Sequence, residues 1–194
     1  MIEGFSNNFK KLCNNFVDLP NNFVLGLSGG VDSTALLYLL KDFINNNPKL
    51  NIKIFPVIID HGMRSVSAKE ALAVKKMAIN LGFQTVIKKI NIKIPKGNIQ
   101  NWARIERRNL LHEAAIFFSA NLLLAHQNDD QAETVFMRLI RGSGVDGLQG
   151  IKETNFWNGI LIIRPLLIFK KEIIKNYIEK NNIHFFDDKS NAML

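Results

Sequence analysis

Phe23-Val24-Leu25-Gly26-Leu27-Ser28-Gly29-Gly30-Val31-Asp32-Ser33 is the stretch whose reading decides the fold. Its first five residues are a short apolar run, and from Val31 to about Asn45 apolar side chains recur at helical spacing. A buried strand that passes through two glycines straight into a helix is the opening of a strand-helix-strand unit. The alternation then repeats. Ile52 to Asp60 reads as a strand and is followed by a helix from Ser67, where Ser67 and Glu70 have capping-box spacing. Phe83 to Ile90, Leu122 to Ala125 and Ile160 to Ile163 read as further strands. Helices are expected from about Asn98 to Phe118, from Asp129 to Arg141 and from about Lys170 to Lys180. Upstream, Ile2, Phe5, Phe9, Leu12, Cys13 and Phe16 make residues 2 to 17 an amphipathic helix lying on the core. The pattern predicts an α/β fold, a Rossmann-like doubly wound parallel sheet of about five strands with helices on both faces. No internal repeat or Pro/Gly/Ser-rich linker divides the chain, so a single domain is expected after the first helix.

Composition narrows the function. The 194 residues are 47% hydrophobic and 22% charged, ordinary values for a globular domain. No window approaches the roughly 20 apolar residues needed to span a bilayer, and Met1-Ile2-Glu3-Gly4-Phe5 lacks the layout of a secretory signal. A cytoplasmic protein with no membrane partner is expected. The lone cysteine, Cys13, rules out an internal disulfide, a CxxC redox pair, or a zinc or iron-sulfur site built from this chain's cysteines. The formal net charge is +8. That suits a partner bearing phosphates, although a genome rich in Lys, Asn and Ile would produce the same excess. Arg64, Arg104, Arg107, Arg108, Arg138, Arg141 and Arg164 say more, because each lies in or beside a strand-end or helix motif.

In open parallel sheets ligands bind at the carboxyl ends of the strands, near the point where strand order reverses. Here those ends carry Ser28 to Ser33, Asp60-His61-Gly62-Met63-Arg64, His126-Gln127-Asn128-Asp129-Asp130 and Arg164-Pro165. The Ser28-Gly29-Gly30-Val31-Asp32-Ser33 segment offers amides, small hydroxyls and a helix N-terminus to an anion. It is neither a Walker A loop nor a dinucleotide fingerprint, since it lacks GK[ST] and GxGxxG. A tight turn capped by Ser and Asp explains the glycines but leaves Asp32 and Ser33 in the first turn unexplained. Gly142 to Gly147 fits GxGxxG to the letter, but it follows a helix and not a strand, so it reads as a helix stop and loop.

The segment resembles the SGGxDS signature of the PP-loop ATP pyrophosphatases, which have an adenine nucleotide alpha hydrolase-like fold and split ATP to AMP and pyrophosphate. Asp60-His61-Gly62-Met63-Arg64, Ala125 to Thr134 and Arg138 to Gly144 resemble, within that family, the tRNA(Ile)-lysidine synthetases. Ala103-Arg104 with Arg107, Arg164-Pro165-Leu166-Leu167 and Asp188-Lys189-Ser190-Asn191 carry the likeness from about residue 22 to the end. The resemblance implies residues 22–194 as a PP-loop ATP-binding catalytic domain behind the helix of residues 1–21. Similar proteins continue past Asn191 into basic, helical sequence that helps hold tRNA, so this chain is expected to hold tRNA weakly.

What the resemblance implies is ATP-dependent ligation of L-lysine to the wobble cytidine of tRNA(Ile) bearing a CAU anticodon, through an adenylated cytidine. ATP and magnesium would be the cofactors, tRNA(Ile) and L-lysine the partners, and a homodimer is compatible with the sequence. Ser28, Gly29, Gly30, Val31, Asp32, Ser33, Asp60, His61 and His126 are the expected ATP-binding residues, with Asp32 as magnesium ligand. Asp130 and Glu133 are expected to hold lysine, and Arg107 to lie near the ATP phosphates or the RNA.

Chemistry read from the residues agrees in part. Asp130 and Glu133 stand three apart at a helix start, so both can grip one ammonium group and accept its proton. A metal site of His126, Asp129 and Asp130 is an alternative, and helix capping by Asp129 with solvated carboxylates is another. On the helix after Asn98, Trp102, Ile105, Leu110 and Leu111 are expected to face the core, with Arg104, Arg107 and Arg108 on the other side. Rival functions are an amide-forming PP-loop synthetase acting on a small carboxylate, and a nucleotide-binding remnant without catalysis.

Overall fold

A computed structural model describes residues 1–16, 20–62, 67–90, 95, 97–140 and 150–186, with side chains of the fifth helix described to residue 136. Six strands, β1 (Asn22–Gly26), β2 (Lys53–Asp60), β3 (Val86–Lys89), β4 (Asn121–Leu123), β5 (Thr154–Trp157) and β6 (Ile160–Ile163), form one sheet in the order β3-β2-β1-β4-β6-β5. Every pairing is parallel except the β5–β6 hairpin at the edge. Among the described residues six α-helices accompany them: α1 (Ile2–Asn14), α2 (Val31–Asn46), α3 (Ser67–Asn80), α4 (Ile99–Phe117), α5 (Asn128–Ile140) and α6 (Lys171–Lys180).

Strand β1 is central and apolar on both sides. Leu25 and Phe23 enter the core shared with α1, α2, α3 and α6, whereas Val24 joins Leu111, Ala114 and Ala115 of α4 beneath the opposite face. This period-two division is what a doubly covered parallel strand requires. The layers are unequal. The chain steps from β1 to β2 to β3 in one direction with α2 and α3 on one face, then returns past β1 to β4 with α4 on the other. A reversal of direction at constant crossover hand demands a change of face, so the switch point falls between β1 and β4.

Helix α1 is anchored by aromatic packing. Phe9 meets the Phe43 ring edge-on at 4.9 Å and the Phe23 ring at 5.8 Å, while Phe5 stacks on Phe9 at 5.6 Å. Both Phe5 and Phe9 are fully buried.

Two expectations need correction. Sequence periodicity put Ile105 in the core, but it is 48% exposed; α4 buries Leu111, as expected, together with Ala103, Ala114 and Ala115. Small residues let the helix sit close to β1, turning Ile105 outward with the arginines. The sheet also has a sixth strand, β5, which joins β6 through Asn158-Gly159, both at positive φ (47° and 80°). That is the geometry of a two-residue type I′ hairpin, whose twist matches the strands it joins. Gly159→Ala, which meets open space but an unfavourable φ, is expected to lower stability by about 1 kcal/mol. A denaturant titration at pH 7 checks it, with an unchanged midpoint as the contrary result.

Candidate active site at the strand-order switch

The loop after β1 is held by its own hydroxyls. Ser33 Oγ accepts the Gly29 N–H at 3.1 Å and the Ser28 N–H at 3.3 Å, lies 2.9 Å from Ser28 Oγ, and donates to the Gly30 carbonyl at 3.2 Å. Ser33 is buried. Its hydroxyl therefore shapes the loop from within, and the exposed Ser28 is the serine at the surface of the loop. The first intrahelical bond of α2 runs from Thr34 N–H to the Gly30 carbonyl at 3.0 Å. The amides of Val31, Asp32 and Ser33 precede it and have no partner in the helix ladder, the usual condition of a helix N-terminus that receives an anion.

The loop is also tied to the far end of the described chain. The Gly29 carbonyl accepts Thr34 Oγ1 at 3.0 Å and the Phe186 N–H at 2.9 Å. Residues 183–186 are thereby docked against a loop more than 150 positions earlier. The Asp188-Lys189-Ser190-Asn191 motif lies just beyond, outside the described residues, as do Met63, Arg64, Arg141 and the Gly142–Gly147 segment.

Asp32 stands in the first turn of α2 with its Oδ1 buried and without a hydrogen-bond partner among the described residues. Burial, reinforced by the carboxylates of Asp130 and Asp129 and opposed by Lys171, lifts its carboxyl from 3.8 to about 6. Asp130 reaches this point from α5, on the adjacent strand of the switch. Its carboxyl is raised as well, first by burial and then by Glu133 and Asp129, against the Gln127 amide and Lys171. The half-buried Asp130 carboxylate thus presses on that of Asp32, and Lys171, the first residue of α6, is a cation acting on both.

The start of α5 is a reciprocal cap. Gln127 Oε1 accepts the Asp129 N–H at 2.7 Å, and Asp130 Oδ2 accepts the Gln127 N–H at 2.7 Å. Capping does occur here, but through Gln127 and Asp130 and not through Asp129, which is exposed together with Glu133. Asp130 consequently spends one oxygen on the helix, and the position of its carboxylate is fixed. The Asn128 N–H donates to the Phe169 carbonyl at 2.9 Å, which ties α5 to the turn before α6.

Asp60 ends β2 and His61 follows it. Asp60 is 4% exposed, and its Oδ1 accepts the Gly62 N–H at 3.0 Å and the Ser67 hydroxyl at 2.8 Å. Burial would raise its carboxyl, but these donors with Lys89 and His61 outweigh it and leave it below the ordinary carboxylate range. It is the pin between β2 and α3. Ser67 is the first residue of α3, and its hydroxyl is drawn to this carboxylate.

On the other side of Asp130, His126 is surrounded by cations. Arg164, leaving β6, donates from Nε to His126 Nδ1 at 3.2 Å. Burial, then Arg164, Arg107 and Arg104, push the imidazole down to about 3, so the ring is neutral at physiological pH. Arg164 is itself held by the Lys152 carbonyl at 2.8 Å and Asn155 Oδ1 at 2.6 Å. Arg108 lies apart, its guanidinium 4.0 Å above the Trp157 ring.

The structure therefore gathers the Ser28–Ser33 loop, Asp32, Asp130, His126 and Arg107 at the ends of β1 and β4. Asp60 is committed to a turn. Lys171, Arg104, Arg164 and Gln127 join the cluster although sequence reading left them out of the site. Arg164, Arg104 and Gln127 stood in motifs already singled out, whereas Lys171, at the start of α6, had no such signal. Among the described residues no group of three or more His, Cys, Asp or Glu could hold a metal ion, and no helix is long and apolar enough to cross a membrane.

Known proteins bear on this arrangement. A tRNA(Ile)-lysidine synthase from Wolbachia pipientis is 40% identical over 188 residues, covering 94% of this chain and 42% of the relative. One from Bradyrhizobium diazoefficiens is 38% identical over 172 residues, covering 87% and 46%. The chain thus spans less than half the length of these curated relatives. Among solved structures, a U34-tRNA thiolase from Methanococcus maripaludis superposes with a TM-score of 0.78 at 21% identity, covering 95% of this chain and 65% of that one, a likeness of fold. The pattern that defines the PP-loop domain, a family named for ATP binding, matches residues 1–194, so the chain belongs to the PP-loop domain family.

Proposed function

We propose that this chain carries the catalytic chemistry of tRNA(Ile)-lysidine formation. The observation that carries the reading is the pairing of Asp32 and Asp130 across the β1–β4 switch, one in an anion-receptive loop and the other beside Glu133 on α5. ATP would lie with its phosphates over the Ser28–Ser33 loop and the first turn of α2. The wobble cytidine of tRNA(Ile) attacks the α-phosphate through its carbonyl oxygen and pyrophosphate leaves. The amine of L-lysine then bonds to the ring carbon, and AMP departs with that oxygen.

Arg104 and Arg107, with the Arg164 and His126 they surround, make the positive wall suited to phosphate oxygens. Glu133 and the free oxygen of Asp130 make an acidic wall suited to the lysine ammonium, and a carboxylate there can accept its proton. The orphaned Oδ1 of Asp32 also fits magnesium, which would supply charge neutralisation for the phosphates; two carboxylates alone fall short of the six oxygens it prefers, so nucleotide and water would complete its shell. Cys13, the sole cysteine of this chain, supports ligation over sulfur transfer, because burial raises its thiol to about 12 and it lies on α1 beside the amino ends of β1 and β4, at the opposite edge of the sheet from the candidate site.

Incubation with ATP, labelled lysine and tRNA(Ile) bearing CAU tests the reading, with initiator tRNA as control. AMP and pyrophosphate in step with lysine incorporation are expected, and ADP release or tRNA-independent pyrophosphate would overturn it. Asp130→Asn or Glu133→Gln should weaken lysine use more than adenylate formation. Loss of one charge-assisted contact costs about 1.5–3 kcal/mol, roughly tenfold or more in lysine concentration dependence. An unaltered lysine dependence in both variants would remove these carboxylates from the lysine site.

A further inference from the structure

His126 stands in the proposed nucleotide pocket with no chemistry yet assigned to its ring. Its surroundings supply one. Arg164 Nε lies 3.2 Å from His126 Nδ1, and a guanidinium has donors only. Nδ1 must therefore be the nitrogen with the lone pair, which leaves the ring proton on Nε2. Arg164 is fixed in turn at its Nη1 by the Lys152 carbonyl and by Asn155 Oδ1 on β5. The edge hairpin thus reaches the centre of the sheet through one side chain. Among the described residues, the charged groups that act on the ring from the elements around it are Arg104 and Arg107 of α4 and Arg164 after β6, all cationic. A ring so placed is a poor base, and an anionic oxygen is the atom this surface attracts.

We propose that Arg164 is a positioning residue that locks His126 in the Nε2–H tautomer, so that His126 serves as a hydrogen-bond donor to an anionic oxygen of the bound substrate and not as a general base. The identity of that oxygen as a nucleotide phosphate rests on the function proposed above; the tautomer does not.

Long-range proton-nitrogen spectra of the 15N-histidine-labelled protein test the lock without any substrate. Of the four histidines, His126 is assigned by the signal lost in His126→Gln. The expected pattern is a neutral ring protonated on Nε2, unchanged from pH 5.5 to 8. Arg164→Gln is expected to release it, so that the two tautomers mix and the titration of the ring moves up towards that range, against the burial, Arg107 and Arg104 that remain. Asn155→Ala, which loosens only Arg164's anchor, should shift the pattern in the same direction by less. An Nδ1–H ring, or a ring that titrates near 6.5 in the unaltered protein, overturns the proposal.

Calorimetric ATP binding provides the second readout. The amide of Gln reproduces the Nε2 donor, so His126→Gln should bind ATP within about threefold of the parent, whereas His126→Ala should lose about tenfold or more. Equal losses in the two variants would overturn the donor role. Absence of ATP binding by the unaltered protein would instead count against the proposed function, and the spectra would still decide the lock.

Discussion

Asp32→Asn is expected to raise the thermal midpoint of the ligand-free protein at pH 7 and, in the same preparation, to cut AMP and pyrophosphate formation about 100-fold or more. The two effects have one origin. The Asp32 carboxyl is lifted from 3.8 to about 6, first by burial and next by Asp130, so at pH 7 the folded protein holds a charge it would shed if it could. For an acid whose folded pKa lies above its unfolded value, the stability tied to the protonated form is fully present below about pH 4 and is lost as pH rises through about 6. Asparagine keeps the shape and has no charge to lose. The side chain is half-buried, so solvent screening reduces the gain to roughly 1–2 kcal/mol, or about 2–8 °C for a chain of this size. The difference between the two proteins should vanish near pH 4 and grow to pH 7. Magnesium with ATP should raise the midpoint of the parent and not of the variant, since only the parent has an ionised oxygen to neutralise. Melting curves at pH 4, 5.5 and 7 beside a pyrophosphate assay check the pair. A variant that melts earlier at pH 7, or that still cleaves ATP at the parent rate, would take Asp32 out of the site.

The order of elements was legible in the sequence because each central strand is a short apolar run that meets a glycine or polar turn before a periodic helix. The exceptions share a cause: local pattern carries no information about neighbours. Thr154-Asn155-Phe156-Trp157 has Asn158-Gly159 after it, a strong hairpin signal, yet as an edge strand with Phe156 exposed it lacks the apolar run that marked the others. The strand expected from Phe83 begins only at Val86, because Thr85 Oγ1 turns back to the Phe83 carbonyl at 3.1 Å. Ile105 was assigned to the core by helical spacing, but the face of α4 that touches β1 and β4 is chosen by the small Ala103, Ala114 and Ala115.

Site residues were legible to the extent that strand ends are. The Ser28–Ser33 loop, Asp32, Asp130 and His126 could be placed together from their positions after β1 and β4. Their division of labour could not. Ser33 and Ser28 are equivalent on paper, and only packing shows that one is buried under the loop and the other lies at its surface. Gln127 is an uncommon helix cap, so nothing in its residue type announced the exchange with Asp130. Asp60 resembled a ligand because it ends a strand, and it is the donors around it, from Gly62 and Ser67, that spend its charge within the fold.

Gly29→Ala is expected to be the most damaging small substitution in the loop, and Gly30→Ala, its neighbour, one of the mildest. Gly29 has a φ of 85°, a region that costs an L-residue about 1–2 kcal/mol. A methyl group there would overlap Cγ2 of the buried Val74 on α3 and lie 3.4 Å from the Phe186 ring. Overpacking of this kind adds about 1–3 kcal/mol. The sum, roughly 2–5 kcal/mol, is a large share of the 5–15 kcal/mol that holds a typical domain. If the loop moves to relieve the overlap, the Gly29 carbonyl gives up Thr34 and Phe186 together, so the 183–186 segment and the first turn of α2 loosen in the same event. Gly30 by contrast has a φ of −67°, and a methyl group on it would have only Ser28 Oγ within 4 Å, at 3.5 Å. Its replacement should cost about 1 kcal/mol or less, the difference between glycine and alanine at a helix N-cap. Denaturant midpoints and amide exchange at Thr34 and Phe186 separate the cases. Faster exchange at both amides is expected in Gly29→Ala alone, with ATP binding lost alongside. Should Gly29→Ala unfold at the parent midpoint, or exchange at Phe186 stay slow, the loop would not depend on this glycine and the coupling between its two anchors would be wrong.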